Sequence, residues 1–563
     1  MRLGLLCIVL FASVCLLIRA ARVSIAGDYL DPVARITAQD EAFFVNSVIG
    51  MVERGDWLTP RYMGRFSFYK PPLFMWISAA SARLLGISRF TLRFPLALLC
   101  GLAAGLVFLI GARIRSWQAG AAAAVLLISN HLWNVSGAMV LTDALLAAAD
   151  ISAMYWLLGD PSLRSGLAFW GFAASVAGAI LTKTVAGALP LVTLGLYWVF
   201  APRGARATFR RAVAVVALAF GLAAPWYGYQ LTVHRRWFWT EHVRQEILGF
   251  GRGAPPQTTN ETHLAFYAKR LLLIDPILLS LLLIALPTLI RAQKKRTAEA
   301  LLTACWLALL LAAPFAWHYR SVTYLIPPVA PMAIAAACYS PLGKRWNYAV
   351  LTVAMVGFVC KVALPQQPWG LSFAETTVQP ASAPLATYCE SNRGNELIVV
   401  DVADDLYASV LPFARLRYAI VSHSMTGGMF SLLDLTGMGI SVTVDDFDHL
   451  DDRRRSFRDK LREWGVNSDE PIASLVVAAD EGELVRLVRS HPSSDFFFPA
   501  GYRPQVEAAG LPAHRIVDTG QHCFLLLSRE GLSRNVPPAW PCRMGHQVVQ
   551  RFRTVGHQVG LTP

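Results

Sequence analysis

A polar stretch with two acids and a lysine interrupts the apolar N-terminal part of the chain. It runs from Thr37 to Trp76 and begins with the pair Asp40 and Glu41. It closes with Lys70, which stands directly before two prolines. A carboxylate can take a proton from an attacking hydroxyl, and a lysine presented by a stiff double-proline segment suits a phosphate. We interpret the stretch as the lid, and part of the chemistry, of a membrane-embedded transferase.

Several further ionisable or aromatic residues stand alone at the margins of later apolar runs. They are Asp143, Lys183, Glu241, His242, His318, Arg320 and Tyr324. Ionisable groups at the ends of membrane spans are costly unless they face a cavity or a partner. Residues of both signs therefore predict a polar cavity for a charged ligand, provided that they share one side of the membrane.

Each candidate also has an ordinary structural explanation. An acid such as Asp40, Glu41 or Asp143 can cap the helix that follows it, and for Glu41 this is the better interpretation. Lys70 can snorkel to the membrane interface. The remaining alternatives are a turn for Lys183, an ordinary loop position for His242 and an interfacial aromatic belt for Tyr324.

The composition is that of a polytopic membrane protein. Of the 563 residues, 55% are hydrophobic and only 16% are charged, and the mean hydropathy is +0.44. A span needs about 20 mainly apolar residues, and apolar runs extend to about Leu364. We therefore predict a polytopic α-helical membrane domain over residues 1–365, with about eleven to thirteen spans. Its first span is expected over 3–18, followed by an external loop over 21–70.

The last third of the chain has a different composition and predicts a soluble α/β domain over residues 370–535. Short apolar segments alternate there with charged, amphipathic ones. Strands are predicted over 397–402, 417–421, 474–479 and 523–528, and helices over 451–464 and 480–490. A cover for the site, a surface for the acceptor and a purely structural role are all open for this domain. Residues 536–563 are expected to form a loose tail.

Basic loops predict the sidedness of the membrane domain. They lie near residues 113–115, 203–211, 291–296 and 344–345. If these loops are cytoplasmic, the first loop, the isolated polar residues and the C-terminal domain all face outward. The formal charge of +14 is then a topology signal and does not indicate nucleic-acid binding.

The order of these residues resembles the GT-C membrane glycosyltransferases, in particular the bacterial aminoarabinose transferases of lipid A and their protein O-mannosyltransferase relatives. The first motif comprises Asp40-Glu41, Gly55 to Pro60, and Tyr69 to Leu73 with Trp76. The later landmarks are Thr142-Asp143, Leu181 to Lys183, Pro225 to Tyr227, Glu241-His242 and Thr323 to Pro327. The similarity covers roughly the first 340 residues.

The resemblance implies transfer of a sugar from a polyprenyl (undecaprenyl) phosphate donor to a lipid A, lipopolysaccharide or other periplasmic acceptor. It places the enzyme in the bacterial inner membrane, with its site on the periplasmic side. The catalytic residues that it implies are Asp40, Glu41 and Asp143, with Asp40 engaging the acceptor nucleophile. The substrate-binding residues are Lys70, Lys183, Tyr69, Tyr324 and Arg320, with the two lysines on the donor phosphate.

The chain departs from the family pattern at two places. The aminoarabinose transferases typically have Glu before the lysine of the proline motif, where this chain has Tyr69. That Glu shares a metal with a histidine matching His242, so a divalent metal is doubtful here. An arginine that commonly follows the acidic pair is also replaced, by residues 42–44. The donor sugar is therefore not assigned to aminoarabinose.

Two other functions are consistent with parts of the pattern. A protein O-mannosyltransferase would use the same kind of donor with a hydroxyl of a protein as acceptor. A lipid or solute transporter would fit the composition, but transporters often carry internal repeats with polar sites at mid-membrane. The sequence shows no such repeat and its polar residues gather at one face, which favours the enzyme.

Overall fold

The computed structural model describes most of the first 374 residues and short segments thereafter. The described ranges are 1–25, 38–62, 65–249, 261–294, 297–316, 320–339, 343–374, 385–386, 388–389, 396–400, 410–413, 417–421, 475–476, 495–499, 504, 516–518 and 524–527. The helices predicted over 451–464 and 480–490, the tail 536–563 and His318 lie outside these ranges. Contacts divide the chain into one compact unit of residues 1–61, 66–232 and 242–376 and another of 62–65, 233–241 and 377–563.

The first part of the chain is mostly helical. Its helices are α1 (Arg2–Arg22), α2 (Ala38–Arg54), α3 (Leu73–Leu85), α4 (Arg89–Ile114), α5 (Trp117–Ile128), α6 (His131–Gly137), α7 (Thr142–Gly159), α8 (Gly166–Lys183), α9 (Leu189–Phe200), α10 (Phe209–Val233), α11 (Arg235–Phe238), α12 (His263–Ile274), α13 (Pro276–Lys294), α14 (Ala298–Ala312), α15 (Val329–Cys338) and α16 (Gly343–Ala363). A π-helix covers Trp239–Gly249, and a 3-10 turn covers Val322–Leu325. Two short strands, β1 (Arg61–Tyr62) and β2 (Arg65–Phe66), pair between α2 and α3.

Seven of the described helices are long and apolar enough to cross a membrane. They are Arg2–Arg22, Arg89–Ile114, Gly166–Lys183, Phe209–Val233, Pro276–Lys294, Ala298–Ala316 and Arg345–Ala363. The bent pair α6 and α7, which meet at 107°, brings the number to eight if it is one span. Four further apolar helices have only 10–17 residues. The predicted eleven to thirteen spans therefore exceed the number found by length and composition, because several apolar runs form short or bent helices.

Close helix packing depends on glycine in α4 and α5. A Cβ on Gly101 would lie 2.2 Å from the Ser13 hydroxyl of α1, and a Cβ on Gly120 would lie 2.2 Å from the Phe108 carbonyl. Small residues at such crossings let helix backbones approach within a membrane. Helices α1 and α5 can therefore both pack directly on α4, the helix that carries Arg93.

A buried ion pair between Lys361 and Asp275 connects α16, the junction of α12 and α13, and the link between α5 and α6. Lys361 Nζ of α16 lies 2.9 Å from Asp275 Oδ1, at the junction of α12 and α13, and donates to the Ser129 carbonyl at 2.8 Å. Asn130 Nδ2 donates to the other carboxylate oxygen of Asp275 at 3.0 Å. Because every member has a partner, the cost of burying these charges is offset. The pair fixes α16 against the link between α5 and α6.

The polar stretch forms an amphipathic helix and an anchored loop. Phe43, Phe44, Val48 and Ile49 are buried along α2, as their helical spacing predicts. The helix ends at Arg54, and the next residue, Gly55, has a φ of +74° that suits glycine. In the loop that follows, the Leu58 carbonyl accepts from Trp226 Nε1 at 3.0 Å and from Gln230 Nε2 at 2.6 Å. These bonds fix the loop to α10.

The second unit contains a mixed six-stranded sheet. Its strands are β3 (Glu396–Val400), β4 (Arg417–Val421), β5 (Leu475–Val476), β6 (Asp495–Pro499), β7 (Ile516–Asp518) and β8 (Phe524–Leu527), in the order β5-β4-β3-β6-β8-β7. Strands β5, β4, β3 and β6 run parallel, and β8 is antiparallel to β6 and β7. The four predicted strands are found, whereas β6 and β7 were not predicted.

Candidate functional site

Two helix ends bring Asp143 and Lys183 together. Asp143 lies in the first turn of α7, and Lys183 is the last residue of α8. Lys183 Nζ donates to Asp143 Oδ1 at 2.7 Å, and the Thr142 hydroxyl donates to Oδ2 at 3.2 Å. Both side chains are largely buried, with 18% and 10% of their surface exposed for Lys183 and Asp143. The carboxylate therefore holds the ammonium in a fixed position.

Tyr324 lies on the other side of Lys183. The ammonium is 5.2 Å from the centroid of the tyrosine ring, within the range of a cation–π contact. Tyr324 belongs to the 3-10 turn before α15, so it reaches the lysine from a distant part of the chain. The structure thus brings together three of the predicted site residues.

Lys70 is the second cation of the site. It precedes Pro71 and Pro72, and Pro72 is the N-cap of α3. Its ammonium forms an ion pair with Glu246 of the π-helix, and the lysine side chain is 19% exposed. This carboxylate partner was not predicted from the sequence.

The electrostatics of Lys70 link it to the other candidates. Burial lowers the pKa of the Lys70 ammonium below its ordinary value, and the positive charge of Lys183 lowers it further. The charges of Asp143 and Asp40 raise it. An anion bound between the two lysines would favour their charged forms. Lys70, Lys183, Asp143 and Asp40 therefore form one electrostatic cluster.

The two acids of the first motif have different environments. Asp40 is exposed at the start of α2. Glu41 is fully buried and receives Arg93 Nε at 2.6 Å, a second bond from the same guanidinium, and the Val140 amide at 2.9 Å. Arg93 also donates to the Val23 carbonyl at 2.5 Å. Glu41 thus ties α2 to α4 and to the residues before α7, which is a positioning geometry, whereas Asp40 is exposed to solvent.

His242 has hydrogen-bond partners at both ring nitrogens. Nδ1 lies 2.5 Å from the Phe68 carbonyl, which fixes the proton on that nitrogen. Nε2 then accepts from the Thr184 hydroxyl at 3.0 Å. Burial lowers the pKa of His242 to about 4, so the ring is neutral at physiological pH. His242 thereby joins the residue after Lys183 to the segment that leads into Lys70.

This geometry does not fit a metal at His242. A metal ligand needs a free ring nitrogen, and Tyr69 stands where the resemblance expects an acidic ligand. Within the part of the chain that the structure describes, no group of three or more His, Cys, Asp or Glu residues is arranged to hold a metal ion. We derive no step of the chemistry through a metal.

The remaining predicted residues lie at aromatic contacts. The Tyr69 ring is 6.1 Å from the ring of Phe43 in α2. The Arg320 guanidinium lies 5.6 Å from the centroid of Phe266, and Arg270 stacks on the same ring at 3.5 Å. Arg320 thus contacts an arginine-aromatic pair, Arg270 and Phe266, on α12.

Three residues of the site were missed by sequence reasoning. Arg93 stands within an apolar run, and an arginine in a span requires a buried partner, so its position was a usable signal. Glu246 follows His242 by four residues, a spacing that places both on one helix face. Thr184 gave no signal, because a hydroxyl after a lysine is common in loops.

Comparisons with known proteins show what this chain is similar to. A family profile described as dolichyl-phosphate-mannose-protein mannosyltransferase matches residues 69–229. The undecaprenyl phosphate-alpha-4-amino-4-deoxy-L-arabinose arabinosyl transferase of Edwardsiella ictaluri is 26% identical over 351 residues, covering 59% of this chain and 62% of that protein. The protein of the same name from Aeromonas salmonicida is 28% identical over 305 residues, covering 51% and 53%. The chain thus spans between about half and three fifths of the length of these curated relatives.

Solved structures define the fold. ArnT from Cupriavidus metallidurans bound to undecaprenyl phosphate matches with a TM-score of 0.66 at 16% identity, over 95% of this chain and 100% of that one. The apo state of ArnT from the same organism matches with a TM-score of 0.63, over 88% and 94%. The chain is therefore a multi-pass membrane protein that shares its GT-C fold with these two ArnT structures. The predicted resemblance to that group is confirmed.

Proposed function

We propose that this protein is a glycosyltransferase that moves a sugar from a polyprenyl (undecaprenyl) phosphate to a lipid A, lipopolysaccharide or other periplasmic acceptor. The observation that carries the proposal is the clustering of two partly buried lysines, Lys70 and Lys183, with the acids Asp40 and Asp143. A phosphate monoester or diester is the ligand that two such cations suit. The names of the arabinosyl transferases in the comparison supply the class of donor.

The leaving group is stabilised by the lysines. When the acceptor oxygen bonds to the anomeric carbon, the bond from that carbon to the phosphate oxygen breaks, and its electron pair stays on the phosphate. Lys70 and Lys183 neutralise the charge that develops there. Fixed groups of this kind contribute about 10²–10³-fold each to the rate. Asp143 assists by holding Lys183 in place, so that little reorganisation is needed during the reaction.

Asp40 is the base in this mechanism. It takes the proton of the acceptor hydroxyl as the new bond forms, a role worth about 10²–10⁴-fold. Exposure suits Asp40 for this role because a large acceptor has to reach the carboxylate. Glu41 is assigned a positioning role, since its carboxylate is occupied by Arg93 and the Val140 amide.

A protein is the second class of acceptor to be tested. The match of residues 69–229 to a protein mannosyltransferase family favours a serine or threonine hydroxyl of a protein as the alternative acceptor. The same cluster serves both, because the donor phosphate and the base are shared. Only the residues that contact the acceptor would differ.

The proposal includes a location and a division of the chain. The site is assigned to the periplasmic side of the bacterial inner membrane, with residues 1–365 as the catalytic membrane domain. Residues 370–535 are assigned to a periplasmic α/β domain. The basic loops at 113–115 and 203–211 support this sidedness.

The deciding experiment is transfer by the purified protein. Given an undecaprenyl-phosphate sugar and a lipid A or peptide acceptor, Asp40→Asn should lose at least about 100-fold in rate and keep its affinity for the donor. Asp56→Asn is the matched control, because Asp56 is an acid of the same stretch that bonds the Thr59 amide at 3.1 Å. Wild-type transfer rates in Asp40→Asn would refute the mechanism. Mass spectrometry of lipid A and periplasmic glycans in a deletion strain would identify sugar and acceptor.

A further inference from the structure

Both lysines of the cluster already have a carboxylate partner. Lys183 pairs with Asp143 at 2.7 Å, and Lys70 pairs with Glu246. A phosphate that binds between the lysines must therefore compete with at least one of these acids. Which acid gives way decides how the site takes up and releases its lipid phosphate.

The two acids are held very differently. Asp143 is a short side chain in the first turn of an 18-residue α-helix, and the Thr142 hydroxyl is bonded to it as well. Glu246 is a longer side chain on an 11-residue π-helix. Such helices are rare and frequently lie at functional sites. Because Glu has more rotamers than Asp, its carboxylate can leave the lysine without a shift of the backbone.

His242 keeps this glutamate next to the lysine. Its ring donates to the Phe68 carbonyl at 2.5 Å, two residues before Lys70, and Glu246 follows His242 by four residues. The two contacts, from 242 to 68 and from 246 to 70, connect the same pair of segments. Glu246 therefore remains close to Lys70 even when its carboxylate is displaced.

We propose that Glu246 is a built-in counter-ion that competes with the lipid phosphate for Lys70 and thereby promotes product release. This proposal rests on the proposed function, since the product of transfer is the free lipid phosphate. When the sugar has left, the phosphate holds both lysines. The return of Glu246 to Lys70 supplies the replacement charge, so that the phosphate can leave without stranding a buried cation.

The test is the affinity for undecaprenyl phosphate in detergent micelles at fixed ionic strength. Glu246→Gln should bind it roughly tenfold more tightly than the wild type, because one charge-assisted competitor is lost. Its inhibition constant as a product should fall by a similar factor, and both kcat and KM should fall, as expected when release becomes slower. A merely structural residue would weaken binding when it is changed.

Two variants control the measurement. Glu246→Asp keeps the charge and should stay near the wild-type affinity. Glu261→Gln removes a glutamate that pairs with Arg270 at 2.9 Å on α12 and should leave the affinity unchanged. If the wild type does not bind undecaprenyl phosphate, the proposed function fails. If the wild type binds it and Glu246→Gln binds equally or more weakly, with an unchanged melting temperature, the counter-ion role is refuted.

Discussion

Glu41 and Arg93 form a buried, two-pronged ion pair between α2 and α4. Nε of the arginine lies 2.6 Å from one carboxylate oxygen, a second nitrogen binds the other, and neither side chain has exposed surface. Asp40, the residue immediately before Glu41, is exposed. The acidic pair of the first motif thus consists of a buried anchor, Glu41, and a solvent-exposed carboxylate, Asp40.

Breaking this ion pair should destabilise the membrane domain. It does not remove a group that reacts with the substrates. We expect Arg93→Leu, which leaves the Glu41 charge buried, to lose about 3–5 kcal/mol of stability. The double variant Glu41→Leu with Arg93→Leu should recover part of that loss. Thermal unfolding in detergent would measure both. A single variant as stable as the wild type would mean that the ion pair does not anchor α2.

Variants of Lys183 and Asp143 should have different effects, because Lys183 is assigned to phosphate binding and Asp143 to holding Lys183 in position. Lys183→Met removes a cation and should weaken binding of undecaprenyl phosphate by about tenfold or more, the loss of one charge-assisted bond. Asp143→Asn leaves the Lys183 cation in the site but removes the carboxylate that fixes it. This variant should therefore lower kcat more than it lowers the affinity for undecaprenyl phosphate. Lys269→Met, at a lysine that is 63% exposed, is the neutral control. Equal losses of affinity in the Asp143 and Lys183 variants would contradict separate roles.

The sequence predicted the elements of the site better than its contacts. Helix α2 followed from the spacing of Phe43, Phe44 and Val48, because an amphipathic period is a local property. The shared sidedness of Asp143 and Lys183 was predicted from the positions of the basic loops. Their direct contact depends on where two helices end, which apolar runs do not define.

The features that were not predicted from the sequence also have physical explanations. Glu246 pairs with a lysine 176 positions away, and no local pattern encodes such a partner. The predicted eleven to thirteen spans stay a prediction, because composition cannot distinguish a crossing from a short or bent helix such as α6. Strand β6 was missed because its run of phenylalanines is short and ends in proline, which is unusual within a strand.

The buried ring of His242 predicts a specific pH dependence of stability. Its pKa in the folded protein is lowered to about 4 by burial, whereas an unfolded histidine titrates near 6.5. Between these values the unfolded chain binds a proton that the folded chain does not. The contribution of His242 to the free energy of unfolding should therefore be constant above about pH 6.5. It should then fall by about 1.4 kcal/mol per pH unit toward pH 4.

His242→Gln isolates that contribution. Glutamine can still donate to the Phe68 carbonyl and accept from the Thr184 hydroxyl, but it does not titrate. The difference in the free energy of unfolding between wild type and variant, measured from pH 8 to pH 4, should stay constant down to about pH 6.5. Below that pH it should shift steadily in favour of the variant, by about 3 kcal/mol in total. A difference that does not change with pH would show that the ring is not held in its neutral form, and the hydrogen-bonded link between the two lysine segments would have to be abandoned.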